Sequence, residues 1–196
     1  MQNLNIMIVG VGGQGTLLAS RIIGSAALKA GFEVKVSEVH GMSQRGGSVE
    51  TYVRLGKNIA SPLVDKGQAD IIICFEQLEA LRFMPYLKKG GMLIVNEQII
   101  YPMPVVTGVE KYPEGIIESL KEKLANNIIT LDAAAVASEC GDIRSVNVVL
   151  LGVMAGLELL AISRETWEEA VKEVVPVKAL LINQKAFIKG FERGNM

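Results

Sequence analysis

The sequence predicts an α/β protein: an open, mostly parallel, Rossmann-like sheet with helices on both faces and a helical C-terminus. Three observations lead there. Short continuous apolar runs recur along the chain, as strands buried on both faces require. Stretches with helical periodicity separate them, the alternation of a doubly wound sheet. The apolar mass is aliphatic, with 49% hydrophobic but only 5% aromatic residues, which suits helices packed on a parallel sheet. The 196 residues show no repeat, linker or low-complexity segment, so one domain spanning 1–196 is expected.

"LNIMIVG" (4–10) reads as a buried central strand that ends in glycine. Residues 16–31 place Leu18, Ile22, Ala26 and Leu28 at helical spacing, and Gly31 stops the helix. "EVKVSEV" (33–39) is the second strand, so 4–39 has the size and order of one βαβ unit. "VETYVRLG" (49–56) alternates Val49, Thr51, Val53 and Leu55 against Glu50, Tyr52 and Arg54, the pattern of a strand with one wet face. Residues 69–75 form another buried strand. A helix follows over 76–91, with Pro85 near its end and a double-glycine stop, then a strand over 92–96. The proline-rich segment 97–115 reads as irregular structure or an edge strand.

An amphipathic helix (116–126), a strand (127–132) and a short helix (133–141) come next. From Val146 onward the chain is helical. Residues 148–162 read as a buried helix interrupted by Glu158, and 163–175 as a helix that opens on Ser163 with acid in its first turn. The last helix, 177–191, places Val177, Leu180, Leu181, Ile188 and Phe191 on one stripe.

Composition excludes several function classes. A net charge of -1 provides no global field to recruit nucleic acid. Cys74 lies inside an apolar run as a small core residue, and Cys140 sits near a helix end. Two cysteines without a C-x-x-C indicate no disulfide framework, and fall short of the four thiolates of a [4Fe–4S] cluster. With one histidine, His40, far from both, no zinc site is expected. No segment reads as a signal peptide or membrane span, so a cytoplasmic protein is expected.

The chemistry concentrates in two glycine loops. The first, "VGVGGQGT" (9–16), spells G-x-G-x-x-G between a strand and a helix. There backbone N–H groups and the helix dipole favour an anion. Gly10 permits the turn, Gly12 and Gly13 open the backbone to a ligand, and Gly15 lets helix and strand pack closely. Gln14 belongs to the same loop, and Thr16 can add a hydroxyl. Glu38, at the end of the second strand, is the type of residue a ribose hydroxyl needs. The residues alone leave two readings open: phosphate or nucleotide contact, or helix–strand packing with a subunit contact.

The second loop, "HGMSQRGGS" (40–48), concentrates His40, Ser43, Gln44, Arg45, Gly46, Gly47 and Ser48. It follows the second strand, so it is expected at the carboxyl edge of the sheet, where open α/β sheets bind ligands. Arg45 can hold a carboxylate or phosphate through two parallel hydrogen bonds, and Ser43 and Gln44 can orient a polar substrate. No acid is placed to make a triad of His40 and Ser43. An interface role for this loop stays open beside a ligand role.

Taken together, "GVGGQGTLLASRIIGSAALKAG" and "SEVHGMSQRGGSVETYVRLG" resemble the gamma-type domain of 2-oxoacid:ferredoxin oxidoreductases, the indolepyruvate type above all. "HGMSQRGG" is the specific part; the first loop is shared by many nucleotide folds. The resemblance implies a subunit of an enzyme that decarboxylates an aryl 2-oxoacid to an acyl-CoA. It implies thiamine diphosphate and [4Fe–4S] clusters on a large partner subunit, ferredoxin as electron acceptor and coenzyme A as co-substrate. In that setting His40, Ser43, Gln44 and Arg45 would complete the active site. Gly10, Gly12, Gly13, Gln14, Gly15 and Thr16 would hold a phosphate, with Gly46, Gly47 and Ser48 beside them. The usual thiamine signature is incomplete here: "GDIRSVN" (141–147) lacks the third glycine, and Asn147 stands too close. A standalone NAD(P) enzyme and a non-catalytic assembly subunit remain the alternatives.

Overall fold

The computed structural model describes residues 3–40 and 47–195, and of His40 the backbone alone. Strands β1 (Leu4–Val11), β2 (Glu33–His40), β3 (Ser48–Gly56), β4 (Ala69–Cys74), β5 (Leu87–Asn96) and β6 (Ile128–Leu131) form one sheet in the order β2-β3-β1-β4-β5-β6. β1, β4, β5 and β6 pair in parallel, and β3 runs antiparallel to both β1 and β2. The helices are α1 (Thr16–Lys29), α2 (Gln77–Phe83), α3 (Met103–Val106), α4 (Ile116–Leu124), α5 (Ala133–Cys140), α6 (Val146–Gly156), α7 (Arg164–Val174) and α8 (Leu180–Gly194). None of them is long and apolar enough to cross a membrane.

The strand residues sort by parity. Ile6, Ile8, Val53, Ile71, Ile73 and Ile94 face α1 and α5 to α8, while Met7, Val9, Tyr52, Ile72, Leu93 and Val95 face α2 and α4. A strand covered on both sides needs apolar residues at odd and even positions alike, hence the unbroken runs.

The βαβ order expected over 4–39 is met, with one strand inserted. β2 still runs parallel to β1, but β3 lies between them. β3 keeps the alternation its sequence shows: Val49, Thr51, Val53 and Leu55 are buried on one side, and on the other Glu50 and Arg54 are half-buried about Tyr52. β2, with Glu33, Lys35 and exposed Val36, takes the edge, where charge deters further pairing.

The expected helix over 76–91 is shorter. Pro85 has no N–H to give, and α2 passes into a 3₁₀ turn, Met84–Tyr86. β5 then starts at Leu87 rather than at residue 92. Its pairing jumps from Ala69↔Leu87 to Ile71↔Met92, so the double glycine serves a bulge and not a helix stop. Gly90 has φ +79°, and a β-carbon on Gly91 would crowd the Ala69 carbonyl at 2.9 Å.

Segment 97–115 holds the helical turn α3 and no edge strand. The buried helix ends at Gly156 rather than 162, and Glu158 turns the chain with φ +52°. Ser163 caps α7 by accepting from the Thr166 N–H.

The apolar stripe expected on the last helix is also displaced: Val177 and Leu181 are 89% and 75% exposed. The buried face of α8 is Asn183, Ala186, Phe187, Gly190 and Phe191. The cause is close helix packing. β-carbons on Gly190 and Gly194 would overlap the Val149 and Val153 carbonyls, and those on Gly152 and Gly156 would overlap the Phe187 and Phe191 carbonyls. α6 and α8 therefore touch backbone to backbone, and hydrophobicity alone does not reveal which face does so.

Candidate functional site

Each glycine of the first loop has a distinct task. A β-carbon at Gly10 would sit 2.7 Å from the Gln14 Oε1 and 2.9 Å from the Phe75 Cβ, and one at Gly15 would sit 2.6 Å from the Asn147 Nδ2. Both positions are packing requirements, and Gly15 also needs φ +84°. Gly13, at φ +103°, has open space around its missing side chain. Gly12 donates its N–H to the Gly47 carbonyl at 2.9 Å.

Gln14 works inward. Its Oε1 accepts from the Val11 N–H at 2.7 Å, and its Nε2 donates to the Phe75 carbonyl (3.0 Å) and the Gln98 Oε1 (3.1 Å). The side chain thus fixes the loop to the ends of β1 and β4. Asn96 extends the lattice. It donates to the Phe75 carbonyl at 3.1 Å and accepts from the Ala133 N–H, at the start of α5, at 3.1 Å. Asn147, buried at the start of α6, donates to the Gly15 carbonyl at 3.2 Å.

Sequence reasoning did not find Asn96, Gln98 and Asn147 as parts of this site. The signal for Asn147 was a polar residue inside the apolar run "SVNVVLL". A buried amide in such a run needs a partner, and here the partner is the glycine loop.

Of the second loop, Ser43, Gln44, Arg45 and Gly46, and the side chain of His40, lie outside the described residues. The loop's two ends do not. His40 closes β2 opposite Val49, and β3 opens with Ser48 paired to Val11. The expectation that the loop springs from the carboxyl edge beside the first loop is met there. The Ser48 hydroxyl donates to the Glu79 carboxylate, which also takes the Arg82 Nη1 at 2.6 Å. Burial raises the Glu79 pKa above its ordinary value, and the Ser48 bond and the Arg82 charge hold it back.

Two clefts flank the first loop. One, of about 410 Å³, is lined by Gly12, Gly13, Gly15, Thr16, Glu38 and Val49. The other, of about 380 Å³, is lined by Gly13, Gln14, Gln98, Arg144, Val146 and Asn147, among others. The structure therefore brings Glu38 to the loop, across the intervening β3. α1 begins there with no side-chain cap and no acid in its first turn. Its first N–H groups have no carbonyl inside the helix, which suits an anion.

Arg144 lines the second cleft but grips the Asp142 carboxylate at 2.6–3.0 Å, and this holds the Asp142 pKa below its usual range. Among the described residues no group of three His, Cys, Asp or Glu could hold a metal.

The comparisons with known proteins agree in direction. The model of the pyruvate ferredoxin/flavodoxin oxidoreductase family matches residues 5–193. The chain is 44% identical to the indolepyruvate oxidoreductase subunit IorB of Pyrococcus horikoshii, over 97% of this chain and 95% of that protein. It is 27% identical, at a TM-score of 0.70, to the crystal structure of a keto/oxoacid ferredoxin oxidoreductase gamma subunit from Geobacter sulfurreducens, covering 97% and 98% of the two chains. It is also 27% identical to the ketoisovalerate oxidoreductase subunit VorA of Methanothermobacter marburgensis, where 87% of this chain matches only 32% of the relative.

Proposed function

The chain belongs to the pyruvate ferredoxin/flavodoxin oxidoreductase family, and from that premise we propose that it is the small subunit of an indolepyruvate-type 2-oxoacid:ferredoxin oxidoreductase. The enzyme oxidatively decarboxylates an aryl pyruvate, joins the acyl group to coenzyme A and passes the electrons to ferredoxin. Thiamine diphosphate supplies the electron sink for decarboxylation, and iron–sulfur clusters carry the electrons.

This chain's residues fit neither group. Cys74 and Cys140 are buried on opposite faces of the sheet. Asp142, the acid of the partial thiamine motif, is occupied by Arg144 and by the Arg144 N–H. We assign both groups to a large partner subunit.

The work left to this chain is to complete and close the partner's site. His40, Ser43, Gln44 and Arg45 serve to orient the oxoacid, and the loop's role is to keep water from the reacting centre. Gly13, Gly15 and Thr16, at the start of α1, hold a phosphate of coenzyme A. The observation that carries this reading is the junction of the two loops. The Gly12–Gly47 hydrogen bond puts both on one sheet edge, over a cleft at an uncapped helix start. In the reconstituted complex, Arg45→Ala should lower indolepyruvate turnover at least about 10-fold with assembly intact. Unchanged turnover in an intact complex refutes the role.

One observation favours a second reading, a standalone NAD(P) enzyme: Glu38 lines the same cleft as the glycine loop. In the dinucleotide fold, however, the acid ends the strand next to β1, and here β3 intervenes. Micromolar binding of NADH or NADPH by the single chain would favour it. Loop variants that dissociate the complex, rather than slow it, would point to a pure assembly role.

A further inference from the structure

One surface feature takes no part in the site described so far. Ile99, Tyr101, Met103, Val106 and Val109 are 49% to 78% exposed, all within eleven residues. Several large apolar side chains exposed within one short segment are the kind of surface that marks a contact site. The segment is a built knob. Pro102 leads into the α3 turn, the Thr107 hydroxyl donates to the Met103 carbonyl at 2.9 Å, and the Val109 N–H donates to the Pro104 carbonyl at 2.9 Å.

The base of the knob is fastened to the core. The carboxylate of Glu76, buried at the start of α2, accepts from the Ile100 N–H at 3.2 Å and from the Tyr112 hydroxyl, and Tyr101 packs edge-on against Tyr112 at 5.5 Å between ring centres. Such anchoring leaves the outward side chains little conformational freedom to lose on contact. Tyr and Met are enriched at the centres of interfaces. Exposed Glu97, Glu110, Lys111 and Glu114 flank the segment in sequence.

We propose that residues 99–109 are the docking knob by which this chain seats on the cofactor-bearing large subunit. The proposal rests on the reading of the chain as a small subunit. Two observations select that occupant. The knob leaves the sheet at the same edge as the glycine loop, because Gln98, just before it, takes the Gln14 amide at 3.1 Å. A partner whose site the two loops complete must approach that edge. Moreover, the match to VorA covers 87% of this chain but 32% of that protein, so there this kind of domain shares its polypeptide with about twice its own length of further chain. A small separate chain needs a surface that replaces that covalent link.

The test co-expresses the full chain with the large subunit and compares wild type with Met103→Asp/Val106→Asp/Val109→Asp. Circular dichroism and Tm of the free chain should be unchanged, because all three side chains are exposed. Affinity for the large subunit should fall about 100-fold or more, the scale of losing central interface anchors. Val109→Asp alone, at the most exposed position, should fall about 10-fold and serves if the triple variant misfolds. Leu181→Asp, on the exposed start of α8, should assemble like wild type.

Full assembly by a folded triple variant overturns the proposal. So does a wild-type homodimer, seen by light scattering, that the triple variant abolishes, since the occupant is then a second copy. If the wild-type chain itself fails to join the large subunit, the small-subunit reading falls first and the knob's assignment with it.

Discussion

The Gly12 N–H donates to the Gly47 carbonyl at 2.9 Å, so the two glycine loops are one hydrogen-bonded unit. The amide that a dinucleotide turn usually turns toward a ligand is spent on the neighbouring loop. Gly13 is left as the open position of the first loop. Gly13→Ala should cost about 1–2 kcal/mol through its positive φ and leave the fold intact. In the complex it should raise the KM for coenzyme A. Gly15→Ala should cost more, about 3 kcal/mol, because its β-carbon meets Asn147. Chemical denaturation of the two variants checks the order.

Gln14→Ala removes three hydrogen bonds at once. At about 1 kcal/mol each, the loss should be about 2–3 kcal/mol. The amide exchange of Val11 should speed up with it, which hydrogen–deuterium exchange reads directly.

Glu79 makes stability depend on pH. Its folded pKa is raised by burial above the ordinary 4.5, so the folded state holds the proton more tightly than the unfolded chain. Stability from this group is present below pH 4.5 and is lost as pH rises through the folded pKa. Glu79→Gln cannot ionise. Its stability relative to wild type should therefore improve as pH rises from the ordinary carboxylate range, as denaturation midpoints measured across pH would show. A difference that does not change with pH would refute the burial argument.

Gly152→Ala carries a prediction of sign. At an unconstrained helix position the change would stabilise by about 1 kcal/mol. Here the β-carbon overlaps the Phe187 carbonyl, and the variant should lose about 3 kcal/mol or more. Gly190→Ala should behave alike, because the two positions meet at one crossing. Thermal unfolding distinguishes gain from loss.

How much of this could be read from the residues depends on the range of the interactions. β1, β4 and β6 are local apolar runs, and the Ser163 cap and the Gly10–Thr16 turn are local too. The insertion of β3 between β1 and β2 depends on long-range pairing that no local pattern encodes. The Lys-Lys-Gly-Gly of 88–91 stops a helix or makes a bulge, and only the pairing of β4 with β5 decides. At the site, the two loops were legible because their glycines are clustered. The amides that hold them were not: Gln98 and Asn147 reach Gln14 and Gly15 across 84 and 132 residues. The buried face of α8 departs from its apolar stripe for a related reason, since glycine scores as nothing on such a stripe and yet marks the contact.

That helix contact also bears on how the chain is made. α6 has ten buried residues among its eleven, and α8, which lies along it, ends at Gly194. A chain emerging from the ribosome shows α6 before any α8 exists to cover it. Domains fold as units, and uncovered apolar surface invites aggregation. This wall of the fold can close only once α8 has been made. Holdase chaperones would have their longest opportunity at α6, and a chain cut before α8 would leave that face uncovered.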